Sequence, residues 1–231
     1  MQRNSLSHFS TAFKMETMLI LASSSPRRRE LLAQAGFSFR VVSLPVEEGC
    51  HPNEDPVLYT QRLARAKAEI VFRAENLARK TTQSPKSSEP REPLLVLGAD
   101  TIVVCDGQML GKPADPHDAR RMLRLLSGRT HQVITGVCLI SSVGMDIAAE
   151  TTSVTMQTLA EQEISDYIAT GEPVDKAGAY AVQGRAGRWI PRIFGCYFNV
   201  VGLPLSLVAS LVEGMQARLN AKPVLVPTKT S

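Results

Sequence analysis

The stretch LLVLGADTIVVCDGQML, residues 94–110, limits what this chain can fold into more than any other segment. It is apolar at both ends, and Asp106-Gly107 between two apolar runs is a strong signal for a two-residue β-hairpin. The pattern predicts a buried strand with Asp100 inside it or at a kink. A carboxylate there needs a partner, so Asp100 is either structurally paired or works with a metal ion or a water molecule. Gly98 beside it lets a ligand approach the backbone.

Strand-like and helix-like patterns alternate along the rest of the chain, which is typical of an α/β fold. The 231 residues are 44% hydrophobic, enough for one sizeable core or two small lobes. Strands are predicted at 19–22, 39–44, 131–142, 147–159 and the start of 198–215, with a hairpin turn at 143–146. Helices are predicted from Pro26 to Gly36, over 56–80, from Asp115 to Gly128, over 161–170 and at the end of 198–215.

Two polar or Pro-rich segments are expected to flank a packed domain at 18–219, and a third to form a loop inserted in it. They are an N-terminal extension at 1–17, an insertion loop at 81–93 and a flexible tail at 220–231. The extension weakly resembles a mitochondrial presequence, because basic residues and serines precede its first acid. A flexible extension on a cytoplasmic protein is the preferred interpretation. No apolar run approaches the roughly 20 residues of a membrane span, so no membrane association is expected.

Composition favours a small anionic ligand over a polymer. The net charge is +4 at pH 7, but Lys and Arg are dispersed and only 5% of residues are aromatic, which disfavours a nucleic-acid-binding surface. The four cysteines lie far apart without a C-x-x-C pair, which indicates reduced thiols. His131 has no second histidine at metal spacing, so a structural role is predicted for it. P-loop, dinucleotide-binding and serine-hydrolase motifs are absent from the sequence.

The stretch LASSSPRRRELL places cations where a helix disfavours them. Ser25 suits an N-cap and Pro26 the first helical position, so Arg27, Arg28 and Arg29 fall in the first turn. They would repel one another and the positive end of the helix dipole. A polyphosphate bound at this N-terminus would offset the repulsion, with Arg27 and Arg28 each forming bidentate bonds to it. Three solvated arginines are the alternative.

Other charged residues are also candidates for a site. Lys67 lies in a helix rich in alanine, Lys112 in GKPAD and Lys176 in DKAGAY. They either point into a cleft or belong to ordinary surface and loop structure. Glu47 and Glu48 follow the second predicted strand and either bind a hard cation such as Mg²⁺ or form a solvated pair.

Seven motifs, in their order and spacing, resemble the Maf nucleoside triphosphate pyrophosphatases, which are structurally related to inosine triphosphatases. They are SSSPRRRELL, LARAKA, GADTIVV, GKPAD, SGRTHQVITGV, DKAGAYAVQG and NVVGLPLSLV. The resemblance covers roughly residues 19–215. It implies a two-lobed α/β fold around an elongated mixed sheet, a central nucleotide cleft and a homodimer.

The resemblance also implies a reaction. Water attacks the α-phosphorus of a nucleoside triphosphate and releases the monophosphate and pyrophosphate, with Mg²⁺, Mn²⁺ or Co²⁺ as the divalent ion. Asp100 is then the proton acceptor, and Glu48 with Asp100 binds the metal. The other positions that match the family's motifs are the catalytic Lys67 and Lys112, and the substrate-binding Ser23, Ser25, Arg27, Arg28 and Lys176.

Base choice is implied by three positions of the resemblance, Arg27, Thr101 and Gln183. They match a branch that acts on dTTP and UTP, whereas a branch acting on 7-methyl-GTP has aromatic and acidic residues there. A neutral amide suits the imide edge of uracil or thymine, with one donor to O4 and one acceptor for N3–H. We therefore expect a dTTP/UTP pyrophosphatase that cleans the nucleotide pool, including modified pyrimidines. The alternatives are another modified or methylated substrate, or a nucleotide-binding regulator without turnover.

Overall fold

The computed structural model describes residues 18–81 and 92–221. The predicted extension at 1–17 lies outside the described residues, as do positions 82–91 of the insertion and 222–231 of the tail. The limits predicted for the domain and its appendages therefore stay predictions. None of the helices in the described ranges is long and apolar enough to cross a bilayer.

The described part of the chain contains seven strands and six α-helices. The strands are β1 Met18–Leu21, β2 Phe39–Val41, β3 Leu94–Cys105, β4 Gln108–Leu110, β5 Thr130–Ser141, β6 Gly144–Thr155 and β7 Arg192–Phe194. The helices are α1 Pro26–Gln34, α2 Pro56–Thr81, α3 Pro116–Leu126, α4 Glu161–Ala169, α5 Tyr197–Val201 and α6 Leu205–Asn220. Short 3₁₀ helices lie at Glu172–Asp175, Ala177–Ala179 and Arg185–Trp189.

One mixed sheet holds all seven described strands in the order β2-β1-β3-β5-β6-β7, with β4 paired to β3. β1 pairs in parallel with β2 and β3, whereas β3–β4, β3–β5, β5–β6 and β6–β7 are antiparallel. β3, β5 and β6 have 12 residues each and form the long centre of the sheet. The predicted α/β class with an elongated mixed sheet is confirmed.

Local signals explain several element ends. Asp106 and Gly107 have φ angles of 49° and 74°, which suit the tight turn predicted between β3 and β4. Asp55 caps α2, because its Oδ1 accepts the N–H of Val57 at 2.9 Å. Gly36 follows α1 with a φ of 78°, a conformation that glycine adopts without strain. These turn and cap predictions are confirmed.

The last predicted strand is wrong, because the segment FNVV lies in α5. Val200 and Val201 favour a strand by intrinsic preference. The side chain of Asn199 decides otherwise: it is fully buried and its Nδ2 donates to the Val133 carbonyl at 2.9 Å and to Thr152 Oγ1 at 3.0 Å. These bonds hold the segment as a short helix against β5 and β6.

Three other predicted boundaries are inaccurate, the first being the end of β6, which lies at Thr155 and not at 159. The strand predicted to reach Leu44 ends at Val41, and the chain beyond it lines the cleft described below. The turn predicted at 143–146 lies earlier, since β6 already begins at Gly144. Ser141 Oγ accepts the main-chain N–H two residues on, at 3.2 Å, which closes the shorter turn.

Helices cover both faces of the sheet. α2 packs on one face, where Ala64 and Ala68 join Val96 of β3 in a buried cluster. On the other face, α1 and α6 share a cluster with Leu95 and Leu97, and α3 and α4 form a separate cluster further along the sheet. This second face therefore carries two separate hydrophobic clusters.

Two glycines let α2 lie directly on the sheet. A Cβ at Gly98 would lie 2.1 Å from the carbonyl oxygen of Ala64, and one at Gly136 would lie 2.3 Å from the carbonyl carbon of Thr60. The interpretation of Gly98 as an approach point for a ligand is therefore wrong, because a helix fills that space. The close packing brings Lys67, in the same part of α2, over the middle of β3.

Candidate active site

A cleft of about 650 Å³ opens between the turn that leads into α1, the loop after β2, the middle of β3 and the loops near 111–112 and 175–183. Sequence-distant segments therefore meet in one place. All the residues predicted to form the site line this cleft: Ser23, Ser25, Arg27, Arg28, Glu48, Lys67, Asp100, Thr101, Lys112, Lys176 and Gln183. Glu47, in contrast, is not part of the lining, and its exposure agrees with a solvated side chain, although Glu48 is exposed as well.

An ion pair between Lys67 and Asp100 forms the floor of the cleft. Asp100 lies inside β3, and its Oδ1 is 2.6 Å from Lys67 Nζ. The two side chains are only 12% and 14% exposed, so water screens the pair weakly. Asp100 is thus structurally paired and also faces the cleft. The structural pairing predicted for Asp100 is confirmed, and work with a metal ion or a water stays a prediction.

Glu48 joins the same ammonium group from the loop after β2, with its Oε1 2.6 Å from Lys67 Nζ. Burial tends to raise the pKa of Glu48, but the hydrogen bond from Lys67 and the charges of Lys67 and Lys112 outweigh it and lower that pKa below its usual value. The carboxylate is therefore ionised at neutral pH. Lys67 bridges two anionic oxygens at one end of the cleft.

The loop that carries Glu48 is tied to α2 by Arg62. The guanidinium donates to both carboxylate oxygens of Glu54, at 2.6 and 2.7 Å, and to the Gly49 carbonyl at 2.8 Å. Tyr59 Oη adds a hydrogen bond to the Glu48 carbonyl at 3.1 Å. A bidentate pair of this kind fixes geometry as well as adding energy. Helix α2 therefore positions both Lys67 and Glu48.

Arg28 is neither solvated nor free to bind a phosphate in a bidentate manner. It is 9% exposed, and its Nε donates to the Gly202 carbonyl at 2.9 Å. Its Nη1 donates to the Ala99 carbonyl at 2.8 Å and to Ser23 Oγ at 3.2 Å, and its Nη2 to Thr101 Oγ1 at 2.9 Å. These bonds use four of the five guanidinium N–H groups. The predicted bidentate role of Arg28 does not fit this arrangement.

The other two arginines of the turn diverge from Arg28. Arg27 lies 25% exposed at the cleft, with its Nη1 3.3 Å from Asp175 Oδ2, and Arg29 is exposed to solvent. Lys176 also pairs with Asp175. Burial tends to raise the pKa of Asp175, but the hydrogen bond and charge of Lys176 and the charge of Arg27 outweigh it and lower that pKa. Protein groups therefore offset part of the repulsion among the arginines before any ligand binds.

Ser25 does not cap α1 with its side chain, contrary to prediction. Its main-chain N–H instead donates to Ser23 Oγ at 3.2 Å, which bends the loop toward the cleft. The N-terminal turn of α1 therefore has no side-chain cap, and its residues Pro26 and Arg27 line the cleft. A helix N-terminus of this kind is a suitable place for an anion.

Of the three positions predicted to set the choice of base, Arg27 pairs with Asp175 as described above, and Thr101 and Gln183 differ in their partners. Thr101 Oγ1 accepts from Arg28 and lies 2.9 Å from Thr135 Oγ1, which in turn donates to the Asn199 carbonyl at 3.3 Å. Its hydroxyl is therefore used inside the protein. Gln183 is exposed in the cleft, and no residue of the described part hydrogen-bonds to its side chain. The Thr101 hydroxyl is therefore occupied by protein groups, whereas the Gln183 amide is available to a ligand.

Comparison with known proteins identifies the chain. A family model described as "Maf-like protein" matches residues 18–215. The chain belongs to this family. A dTTP/UTP pyrophosphatase of Koribacter versatilis (strain Ellin345) is 50% identical over 195 residues, which cover 84% of this chain and 93% of the relative. One of Yersinia pestis bv. Antiqua is 46% identical over 208 residues, 90% of this chain and 98% of the relative. One of Geobacillus sp. (strain WCH70) is 47% identical over 188 residues, which cover 81% of this chain and 92% of the relative.

Sequence reasoning missed two residues in the cleft of this Maf-family chain. Asp175 pairs with Arg27 and Lys176, and its only signal was its position directly before Lys176 in DKAGAY. Tyr59 lines the cleft, and burial together with the charges of Asp100 and Glu48 raises the pKa of its hydroxyl to about 12. Its contacts depend on the packing of α2, which no local pattern reports.

The buried His131 yields a prediction for stability. Its Nε2 lies 2.7 Å from Tyr180 Oη, and burial lowers its pKa from 6.5 to about 4. Between these pH values the unfolded chain binds more protons than the folded one, so stability falls as the pH drops through this window. Between pH 7 and 4 we expect the free energy of unfolding to decrease less in His131→Gln than in the parent, by up to about 3 kcal/mol.

Urea denaturation of parent and variant at several pH values measures the difference. His117→Gln is the control, because that side chain is exposed. If His131→Gln and the parent lose stability in parallel, the imidazole does not contribute to the acid sensitivity.

Proposed function

We propose that this chain hydrolyses dTTP and UTP to the monophosphate and pyrophosphate. The observation that carries the proposal is the Asp100 carboxylate, held by Lys67 at the floor of a cleft whose rim contains Lys112, Lys176 and Arg27. Relatives that are 44–50% identical over most of their length bear the name dTTP/UTP pyrophosphatase. The chemistry of the cleft and the names of the relatives agree.

In the proposed mechanism the cations bind and stabilise, and the carboxylate activates water. Asp100 orients a water molecule and accepts its proton as the oxygen attacks the α-phosphorus. Arg27, Lys112 and Lys176, with the N-terminus of α1, bind the phosphates and stabilise the charge that develops on the departing pyrophosphate. Lys67 holds the Asp100 carboxylate in place. Arg28 contributes by position, since it joins the turn before α1 to β3.

A divalent ion, Mg²⁺, Mn²⁺ or Co²⁺, belongs to the proposal. Glu48 and Asp100 both approach Lys67 Nζ at 2.6 Å and so present two hard oxygen ligands to one region. No cluster of three or more His, Cys, Asp or Glu side chains suited to a metal occurs within the described ranges. Two carboxylates fit Mg²⁺, which is commonly bound by one or two of them together with substrate phosphates. When bound, the ion would neutralise phosphate charge.

Substrate assays test the proposal directly. The full-length chain is incubated with dTTP, UTP, CTP, 7-methyl-GTP and other modified nucleotides, with and without Mg²⁺, Mn²⁺ or Co²⁺, and pyrophosphate release is measured. We expect dTTP and UTP to have the highest specificity constants and metal to be required. Preferred cleavage of a methylated or otherwise modified nucleotide would identify the alternative substrate. Tight nucleotide binding without product would indicate a regulator.

Gln183 is proposed to read the base, because its free amide suits the imide edge of thymine and uracil. We expect Gln183→Glu to lower kcat/KM for UTP and dTTP by roughly tenfold to a hundredfold, since a carboxylate cannot donate to O4 and adds charge near the triphosphate. CTP and 7-methyl-GTP should suffer less. Specificity constants for the four nucleotides measure this. An equal decrease for all of them would assign Gln183 to phosphate binding or architecture.

We further propose a cytoplasmic homodimer that removes unwanted pyrimidine nucleotides from the pool. Phe194 on the edge strand β7 is 81% exposed, and Tyr197 and Phe198 beside it are 43% and 36% exposed. Adjacent exposed aromatic side chains are common at protein interfaces. Light scattering measures the molecular mass of the parent and of Phe194→Asp, and so tests the dimer. The location of a tagged full-length chain in cells tests for import into mitochondria.

A further inference from the structure

A hydrogen-bonded pair behind the cleft fixes the loop that carries Gln183. We infer that Tyr167 and Glu172 are positioning residues for base selectivity, an inference that rests on the proposed role of Gln183. Neither side chain lines the cleft. They act on the main chain on both sides of Gln183, and so determine where its amide meets the base.

Tyr167 and Glu172 bind the loop at two points. Tyr167 Oη accepts the N–H of Ala181 at 3.1 Å and donates to Glu172 Oε1 at 2.8 Å. The Glu172 carboxylate accepts the N–H of Arg185, with its two oxygens at 3.1 and 3.2 Å from that nitrogen. The bound N–H groups lie two residues before and two residues after Gln183. One connected pair therefore anchors both ends of this short segment.

The turn between the anchors restricts the main chain at Gln183. Gly184 N–H donates to the Ala181 carbonyl at 3.1 Å, which closes a tight turn with Gln183 inside it. A Cβ at Gly184 would lie only 2.0 Å from Glu172 Oε1, so the carboxylate packs against bare backbone. The amide of Gln183 has no protein hydrogen bond within the described ranges. Its direction thus depends on this anchored backbone.

The anchor is itself buried and packed against neighbouring residues. Tyr167 projects from α4 and is 2% exposed, and its ring meets that of Trp189 edge-on with 5.1 Å between centroids. Trp189 Nε1 donates to Glu163 Oε1 at 3.1 Å, also on α4. Burial raises the pKa of the Tyr167 hydroxyl, which therefore remains protonated and able to donate to Glu172. A small displacement of a reading group weakens discrimination more than it weakens binding as a whole.

The test compares base selectivity in a double-mutant cycle. Tyr167→Phe removes the hydroxyl and keeps the ring, and Gln183→Ala removes the reading group. Specificity constants for UTP, dTTP and CTP are measured for the parent, each variant and the double variant. We expect Tyr167→Phe to lower the UTP-to-CTP ratio by about threefold to tenfold and to have no further effect on that ratio once Gln183 is alanine. Ser210→Ala is the control, because it removes an exposed hydroxyl on α6 that does not line the cleft.

The outcomes separate this inference from the proposed function. If Gln183→Ala changes the ratio and Tyr167→Phe lowers UTP and CTP hydrolysis by the same factor, the pair is only structural and the inference is overturned. If Gln183→Ala leaves the ratio unchanged, base reading by Gln183 is wrong and the inference is overturned with it. A parent without pyrophosphate release from any nucleotide overturns the proposed function itself. Should Tyr167→Phe fail to fold, Glu172→Gln provides the same comparison, with a smaller expected decrease in the ratio.

Discussion

We expect Asp100→Asn to lower kcat for UTP by about a hundredfold or more, because the proposed general base loses its ability to accept a proton. The amide keeps the size of the carboxylate, so the strand and the cleft are preserved. Triphosphate affinity stays the same or rises, because one negative charge leaves the cleft. Steady-state kinetics at saturating metal, with nucleotide binding measured by calorimetry, checks both parts of this expectation.

The ion pair provides the control for this variant. Lys67 keeps Glu48 as a partner at 2.6 Å when Asp100 becomes neutral, so the ammonium is not left unpaired. We therefore expect thermal stability close to that of the parent, which separates a chemical defect from a folding defect. Near-normal turnover of Asp100→Asn would show that Asp100 is not the base. Glu48 would then be the leading candidate, and Glu48→Gln would test it.

We expect Gly98→Ala or Gly136→Ala to destabilise the fold by about 3 kcal/mol or more. A methyl group would lie 2.1 Å from the Ala64 oxygen in the first case and 2.3 Å from the Thr60 carbonyl carbon in the second. Both contacts are with the α2 backbone, which cannot rotate away as a side chain does. The whole helix must move off the sheet. Urea denaturation of the soluble fraction measures the loss, and insoluble expression is the extreme case.

Gly214 in α6 offers a matched control, because nothing lies within 4 Å of a Cβ built there. Gly214→Ala should raise stability by about 0.5–1 kcal/mol, as alanine is the better helix former. Parent-like stability of Gly98→Ala would show that α2 shifts freely on the sheet. The Lys67–Asp100 contact would then be adjustable rather than held by packing.

Much of the fold could be predicted because its signals are local. The dihedral preferences of Asp106-Gly107 and Gly36 act within the turn itself, and Asp55 accepts a hydrogen bond from the N–H two residues on. The spacing of apolar residues is likewise a signal that is contained within a single helix or strand. The order and spacing of short motifs also indicated which residues form the site, and those residues line one cleft.

The roles within that cleft depend on contacts that no local pattern reports. Arg28 binds the Gly202 carbonyl across 174 residues, and Lys67 reaches Asp100 across 33. Because of its contact with Gly202, Arg28 connects parts of the protein and does not bind phosphate as predicted. The contact between Lys67 and Asp100 depends on the packing of α2 against Gly98. The buried Asn199 side chain likewise converts a strand-like segment into α5.

The sequence by itself thus determined the α/β class, the turns at Gly36 and Asp106-Gly107, the start of α2 and the residue types of the site, because backbone preferences and charge act over short distances. Only the tertiary structure decided which cations remain free for a ligand. A guanidinium or hydroxyl binds whichever acceptor packing brings within about 3 Å, however distant in the chain. For Arg28 and Thr101 those acceptors are in the protein, and for Gln183 the described part of the chain provides none.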